Sequence, residues 1–117
     1  MTDKPPPKPP KTPRKQQVFT LVVQVGRKSG DGLPKGATGA ALMVYASGVD
    51  EAEAVRETVA LLKQADTAPL DVTGYGTLAE REAEGHEIDA EERALMARAL
   101  EENAVIVAQV TPFFEKD

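Results

Sequence analysis

His86 is the only histidine of the 117-residue chain, and it sits in "EAEGHEIDAEE" between Glu84 and Glu87. One imidazole among carboxylates is a donor set that transition metals accept. Nothing else in that run brings a further ligand to a defined spacing, and the calcium-loop pattern D-x-[DN]-x-[DN]-G is missing. No metal is therefore expected. The only serines are Ser29 and Ser47, neither within G-x-S-x-G. With no cysteine in the chain, thiolate catalysis, disulfides and cysteine zinc sites are excluded. Paired carboxylates are abundant, but they fall at helix caps and on helix surfaces, where they complement the helix dipole. Nothing sets a titratable group in an evident pocket, so the expectation is a protein that is not an enzyme and carries no cofactor.

The one stretch with ligand-binding character is "GRKSGDGLPKGATG", residues 26–39, with five glycines. Glycines free backbone amides for an anion, and Arg27, Lys28 and Lys35 add positive charge beside Gly32 and Gly36. The phosphate-loop pattern G-x-x-x-x-G-K-[ST] is absent, and the loop leads into a strand instead of a helix N-terminus. An anion- or phosphate-binding regulatory domain is thus the alternative reading, with these five residues as its site.

The elements that must position such groups follow from periodicity. "VFTLVVQV" (18–25) is short and β-branched and reads as a strand, "AALMVYA" (40–46) reads as a second, and two strands joined without a helix form an antiparallel hairpin. Asp50 with Glu53 has capping-box spacing and opens a helix whose stripe runs through Val55, Val59 and Leu62. Pro69 ends that segment, and "LDVTGYG" (70–76) reads as a third strand weakened by two glycines. An acidic connector, "LAEREAEGHEI", leads to a second cap, Asp89 with Glu92, and a helix carrying Leu95, Met96, Ala99 and Leu100. "AVIVAQVT" (104–111) is the last strand.

The order β-β-α-β-α-β predicts an α+β chain, an α/β two-layer sandwich with a four-stranded mixed sheet and both helices on one face. The capped helix after "YA…D" and the acidic segment before the second helix resemble small uncharacterised bacterial α/β proteins with a ferredoxin-like β-α-β sandwich. That resemblance spans residues 18–114 and implies no activity.

Charge divides the chain in two. Residues 1–17 hold five bases against Asp3, a net of +4, and six of the first 13 residues are proline. Proline fixes φ and removes the amide donor, so this segment is expected to be a disordered tail with polyproline II bias. The remaining hundred residues carry nine basic and eighteen acidic side chains, a net of −9. An acidic body repels phosphate and is not expected to bind nucleic acid, whereas the tail could touch an anionic surface. Neither a membrane-length apolar run nor an apolar leader is present, which points to the cytoplasm without membrane insertion.

If both helices cover one face, the expected core is Phe19, Leu21, Val23, Leu42, Val44, Leu70, Val72, Ile106 and Val110. The opposite face then presents Val22, Met43, Tyr45, Tyr75, Val105 and Val107, more apolar than a solvated sheet face should be. The leading expectation is accordingly a non-enzymatic interaction module that uses this open face to self-associate as a homodimer or to hold a protein partner.

Overall fold

The structure, a computed structural model, describes residues 15–115. The expected tail therefore lies almost wholly outside the described residues. Strand β1 (Gln17–Val25) pairs antiparallel with β2 (Ala37–Gly48), as the helix-free connection between them led one to expect. Helix α1 (Glu51–Gln64) then leads to β3 (Pro69–Thr77), helices α2 (Leu78–Ala83) and α3 (Ala90–Glu102) follow, and β4 (Val105–Phe114) ends the domain. The strands lie in the order β3-β1-β2-β4, and every neighbouring pair is antiparallel.

The class and the strand count thus stand, with three corrections. The sheet is antiparallel instead of mixed. Since β2 and β3 each run antiparallel to β1, they share a direction, but β1 lies between them and no parallel ladder forms. The element order is β-β-α-β-α-α-β, which is not the β-α-β-β-α-β order of ferredoxin-like domains. The helices also occupy both faces. Ala54 and Leu62 of α1 pack with Phe19, Leu21, Val23, Leu42 and Val44, whereas Met96 and Ala99 of α3 pack with Val18 and Tyr45 on the other side. The reason is compositional: both faces of the central hairpin are apolar, so each needs a cover.

The caps form only partly as their spacing suggests. Asp50 accepts from the Glu53 amide at 2.9 Å, but the Glu53 carboxylate takes the Val49 amide at 2.8 Å, one residue before the cap. Asp89 accepts from the Glu92 amide at 2.8 Å, and the Glu92 carboxylate does not return at all. The reciprocal box lies at the start of α2, where Thr77 accepts from the Glu80 amide and donates its own amide to the Glu80 carboxylate. That helix was expected to be connector. Asn103 ends α3 in the left-handed region, at φ 49°, a conformation asparagine tolerates better than most residues.

Along α1 the buried residues are Ala54, Thr58 and Leu62, at i, i+4, i+8. The Thr58 hydroxyl is fully buried and has no hydrogen-bond partner among the described residues. An unmatched buried hydroxyl costs desolvation energy without return. Thr58→Val, which keeps the shape and removes that group, is expected to raise stability by about 1 kcal/mol. A higher urea midpoint at unchanged denaturant dependence would register the gain.

Candidate functional site

The six residues expected to form one open face are divided by the fold. Val22, Met43 and Tyr45 lie on the α2–α3 side, where Met43 and Tyr45 are packed under α3 and Tyr45 is buried. Val105 and Val107 pair with Ala46 and Val44, which puts them on the α1 side. Tyr75 is exposed on β3, at an irregularity in the β1–β3 register. The expected open face is therefore closed by α3.

The split arises in β4. Ile106 pairs with Tyr45 and packs on the α2–α3 side, opposite to expectation. The β2–β4 register shifts between Met43 and Val44, so Ala108 is an extra residue: Val107 pairs with Val44 and Gln109 with Met43. Val110, paired with Leu42, thereby returns to the α1 side although it is three residues from Val107. Val110 faces the expected side but remains 47% exposed, and Leu70, also expected in the core, is exposed beside Gly26.

What remains uncovered is β4 itself. Its inner edge pairs with β2, while its outer edge has no neighbour among the described residues. Val107 is 38% exposed, Phe113 41% and Phe114 56%. From Asn103 to Phe114 there is no charged side chain. Natural edge strands are usually blunted by charge, proline or irregularity. The opposite edge, β3, shows these devices in number: Pro69, Asp71, two register shifts, and Gly74 with the Glu51 carboxylate lying over it. Strand β4 has its bulge at Ala108, and Pro112 near its end. Its entrance is fixed: the Gln16 side-chain amide donates to Ser47 Oγ at 3.0 Å and to Asn103 Oδ1 at 2.6 Å.

The other polar concentration lies under α2 and α3. Arg81 is the only Lys or Arg between Lys63 and Arg93, and it is 7% exposed. Its Nη1 donates to Thr20 Oγ1 at 3.1 Å and to Glu92 Oε1 at 3.4 Å, and its Nε donates to His86 Nδ1 at 3.1 Å. Tyr45 donates its hydroxyl to the same Glu92 oxygen at 2.7 Å. Because His86 Nδ1 accepts, the neutral ring carries its proton on Nε2. Burial, reinforced by the hydrogen bond to Glu92, pushes the Tyr45 phenol up to about 12, so it remains a donor and offers no base. The cluster borders an opening of about 310 Å³ lined in part by Met43, Leu95 and Gln109. Each group is committed to holding the two helices on the sheet. No group of three or more His, Cys, Asp or Glu with metal-binding geometry occurs among the described residues.

The glycine-rich loop is also built for itself. Arg27 donates to Asp31 Oδ2 at 3.0 Å and to the carbonyls of Pro34 and Ala37. Asp31 in turn accepts the amides of Lys28 and Leu33. Arg27 thus closes the loop. Lys28, Gly32, Lys35 and Gly36 are exposed, and Gly32 and Gly36 have positive φ, as the turns require. The two backbone amides, with the Arg27 side chain beside them, hold the Asp31 carboxyl at about 2, below its usual 3.8. A depressed folded-state pKa contributes stability that is present above the unfolded value and disappears as the pH falls through the folded value. The stability deficit of Asp31→Asn relative to the native chain is therefore expected to be complete above pH 3.8 and to shrink as the pH falls toward about 2. Urea unfolding of both proteins at a series of acid pH values checks this.

The fold and these surfaces define a small α+β domain with one antiparallel sheet, covered on both faces and open along one apolar edge. The chain matches the family model described as a domain of unknown function (DUF8846) over residues 18–114 and belongs to that family. No curated protein and no solved structure matches it. Among the described residues, no helix is long and apolar enough to cross a membrane.

Proposed function

We propose that this domain is a non-enzymatic protein-interaction module whose working surface is the outer edge of β4. The observation that carries this reading is the uncharged edge strand with Val107, Val110, Phe113 and Phe114 exposed along it. An unpaired edge offers a row of amides and carbonyls to an added strand, and exposed side chains beside it give such pairing its specificity. Aromatic residues at the end of the strand supply large contact area at small entropic cost.

The test is affinity capture from cell extract with three baits: the native chain, a Val107→Lys/Val110→Lys variant, and Leu70→Lys as a control on the opposite edge. All three positions are exposed, so each bait should fold. A captured chain, whether another protein or an untagged copy of this one, is expected to be retained by the control. It should be lost at least about tenfold from the β4 variant, since a charge at an interface centre costs more than about 1.4 kcal/mol. Equal retention by both variants, or capture of nothing by the native chain, contradicts the reading.

A further inference from the structure

We propose, resting on the reading of β4 as the interaction surface, that its occupant is β4 of a second copy. The two strands would pair antiparallel about a two-fold axis between Ala108 and Gln109, giving one eight-stranded sheet.

The register follows from the bulge. Val105 and Val107 lie on the α1 side at odd positions. Beyond Ala108 the phase changes, and Val110 and Pro112, paired with Leu42 and Ala40, lie on that side at even positions. A regular strand paired with its own copy keeps like faces together only when partner numbers have an even sum. In this strand the change of phase makes an odd sum the consistent one. With the axis between Ala108 and Gln109, Val107 stands opposite Val110 of the other copy, Val110 opposite its Val107, and Ile106 opposite its Thr111. The two exposed valines of each copy thus form cross-strand pairs, the contacts that stabilise antiparallel ladders. The remaining pair sets Val105 against Pro112, which has no amide to donate and so ends the ladder there.

The chain beyond residue 17 is strongly acidic, yet the ladder itself, residues 105–112, carries no charge, so no like charges are directly opposed within it. The area in contact is small: Val107, Val110 and the strand backbone lie within the ladder and the two phenylalanines beyond its end, so the contact falls below the roughly 1,200 Å² of standard specific interfaces and the dimer is expected to be weak. A two-fold contact of this kind is closed and consumes the open edge of both copies.

Sedimentation of the full chain across roughly 1 to 500 micromolar tests the assembly, a range suited to an interface of that size. A monomer–dimer equilibrium is expected, with Val110→Lys raising its dissociation constant at least about tenfold. The register is tested by oxidising a mixture of Val107→Cys and Val110→Cys chains. The native protein has no cysteine, so only an interchain bond can form. The mixed pair should cross-link well above either variant alone, because directly opposed strand positions meet disulfide geometry. A native chain that stays monomeric throughout overturns the dimer; if its capture of another protein still depends on β4, the broader reading survives. A dimer indifferent to Val110→Lys overturns pairing through β4, and a lysine-sensitive dimer without the mixed cross-link overturns the register.

Discussion

Arg81→Ala is expected to cost about 3 kcal/mol of stability, because it takes the cationic partner from the half-buried Glu92 carboxylate and the donor from the buried Thr20 hydroxyl at once. The guanidinium bridges Thr20 on the sheet, Glu92 on α3 and His86 in the α2–α3 connection. Removing one member of a buried pair leaves the other charge uncompensated, at about 3–5 kcal/mol. The Glu92 side chain is a quarter exposed, which places the cost at the lower end. Arg81→Lys should restore little, since an ammonium cannot donate in the three directions the planar fork serves. Converting Arg81 and Glu92 together to methionine should recover at least half, because well-packed apolar replacements remove both desolvation penalties. Urea unfolding of the four proteins measures this series. A loss below about 1 kcal/mol for Arg81→Ala would mean that apolar packing alone holds α2 and α3 to the sheet.

Gly39→Ala is expected to be comparably damaging, at about 3 kcal/mol, for a steric reason. A Cβ at this position would lie 2.4 Å from the Val25 carbonyl oxygen and 3.6 Å from the Gly26 Cα. Both are backbone atoms, so relief requires the end of the β1–β2 hairpin to open, and Phe113 of β4 pairs with Gly39 from the other side. Two other glycines serve as controls. At Gly36 no atom lies within 4 Å of the added carbon, but φ is +89°, so Gly36→Ala should cost about 1 kcal/mol from backbone strain alone. At Gly74 the near atoms belong to the Glu51 side chain, whose far end can swing away, so Gly74→Ala should be the mildest. Thermal unfolding should rank the three Gly39 > Gly36 > Gly74 in loss of Tm. A Gly39→Ala protein as stable as the native chain would contradict the close approach of the two strands.

Much of the framework was legible in the chain. Short β-branched and apolar runs over 18–25 and 40–46 with no helix between them marked the central hairpin, and Asp50 and Asp89 marked the starts of α1 and α3, because strand and cap signals are local. Three features were not legible, each for a physical reason. Which face a helix covers depends on the crossing of its connection; when both faces of a hairpin are apolar, alternation cannot say which is which. The phase of β4 depends on Ala108, and a bulge inserts a residue without leaving a distinctive residue type there. The third is the role of Glu92. Its spacing from Asp89 suggested a reciprocal cap, but Tyr45 and Arg81, 47 and 11 residues away, compete for the same carboxylate and win it. A lone arginine inside an acidic run was the available signal, and T-x-x-E at Thr77 was the one for α2. As for the interaction surface, Val107 was expected on the face opposite the helices and lies instead on the α1 side, where it is partly exposed. Tyr45 was singled out with it and is instead part of the core.

Amide hydrogen exchange over residues 105–111, measured at low and at high protein concentration, bears most directly on β4 as the working edge. Among the described residues, no strand pairs with the outer side of β4, so its amides should exchange quickly when dilute. If β4 is the contact strand, their protection should rise with concentration, or on adding a partner captured through this edge, while β3 amides stay unchanged. Protection in 105–111 that is the same at every concentration and with every partner, or that rises along β3 instead, would contradict the account.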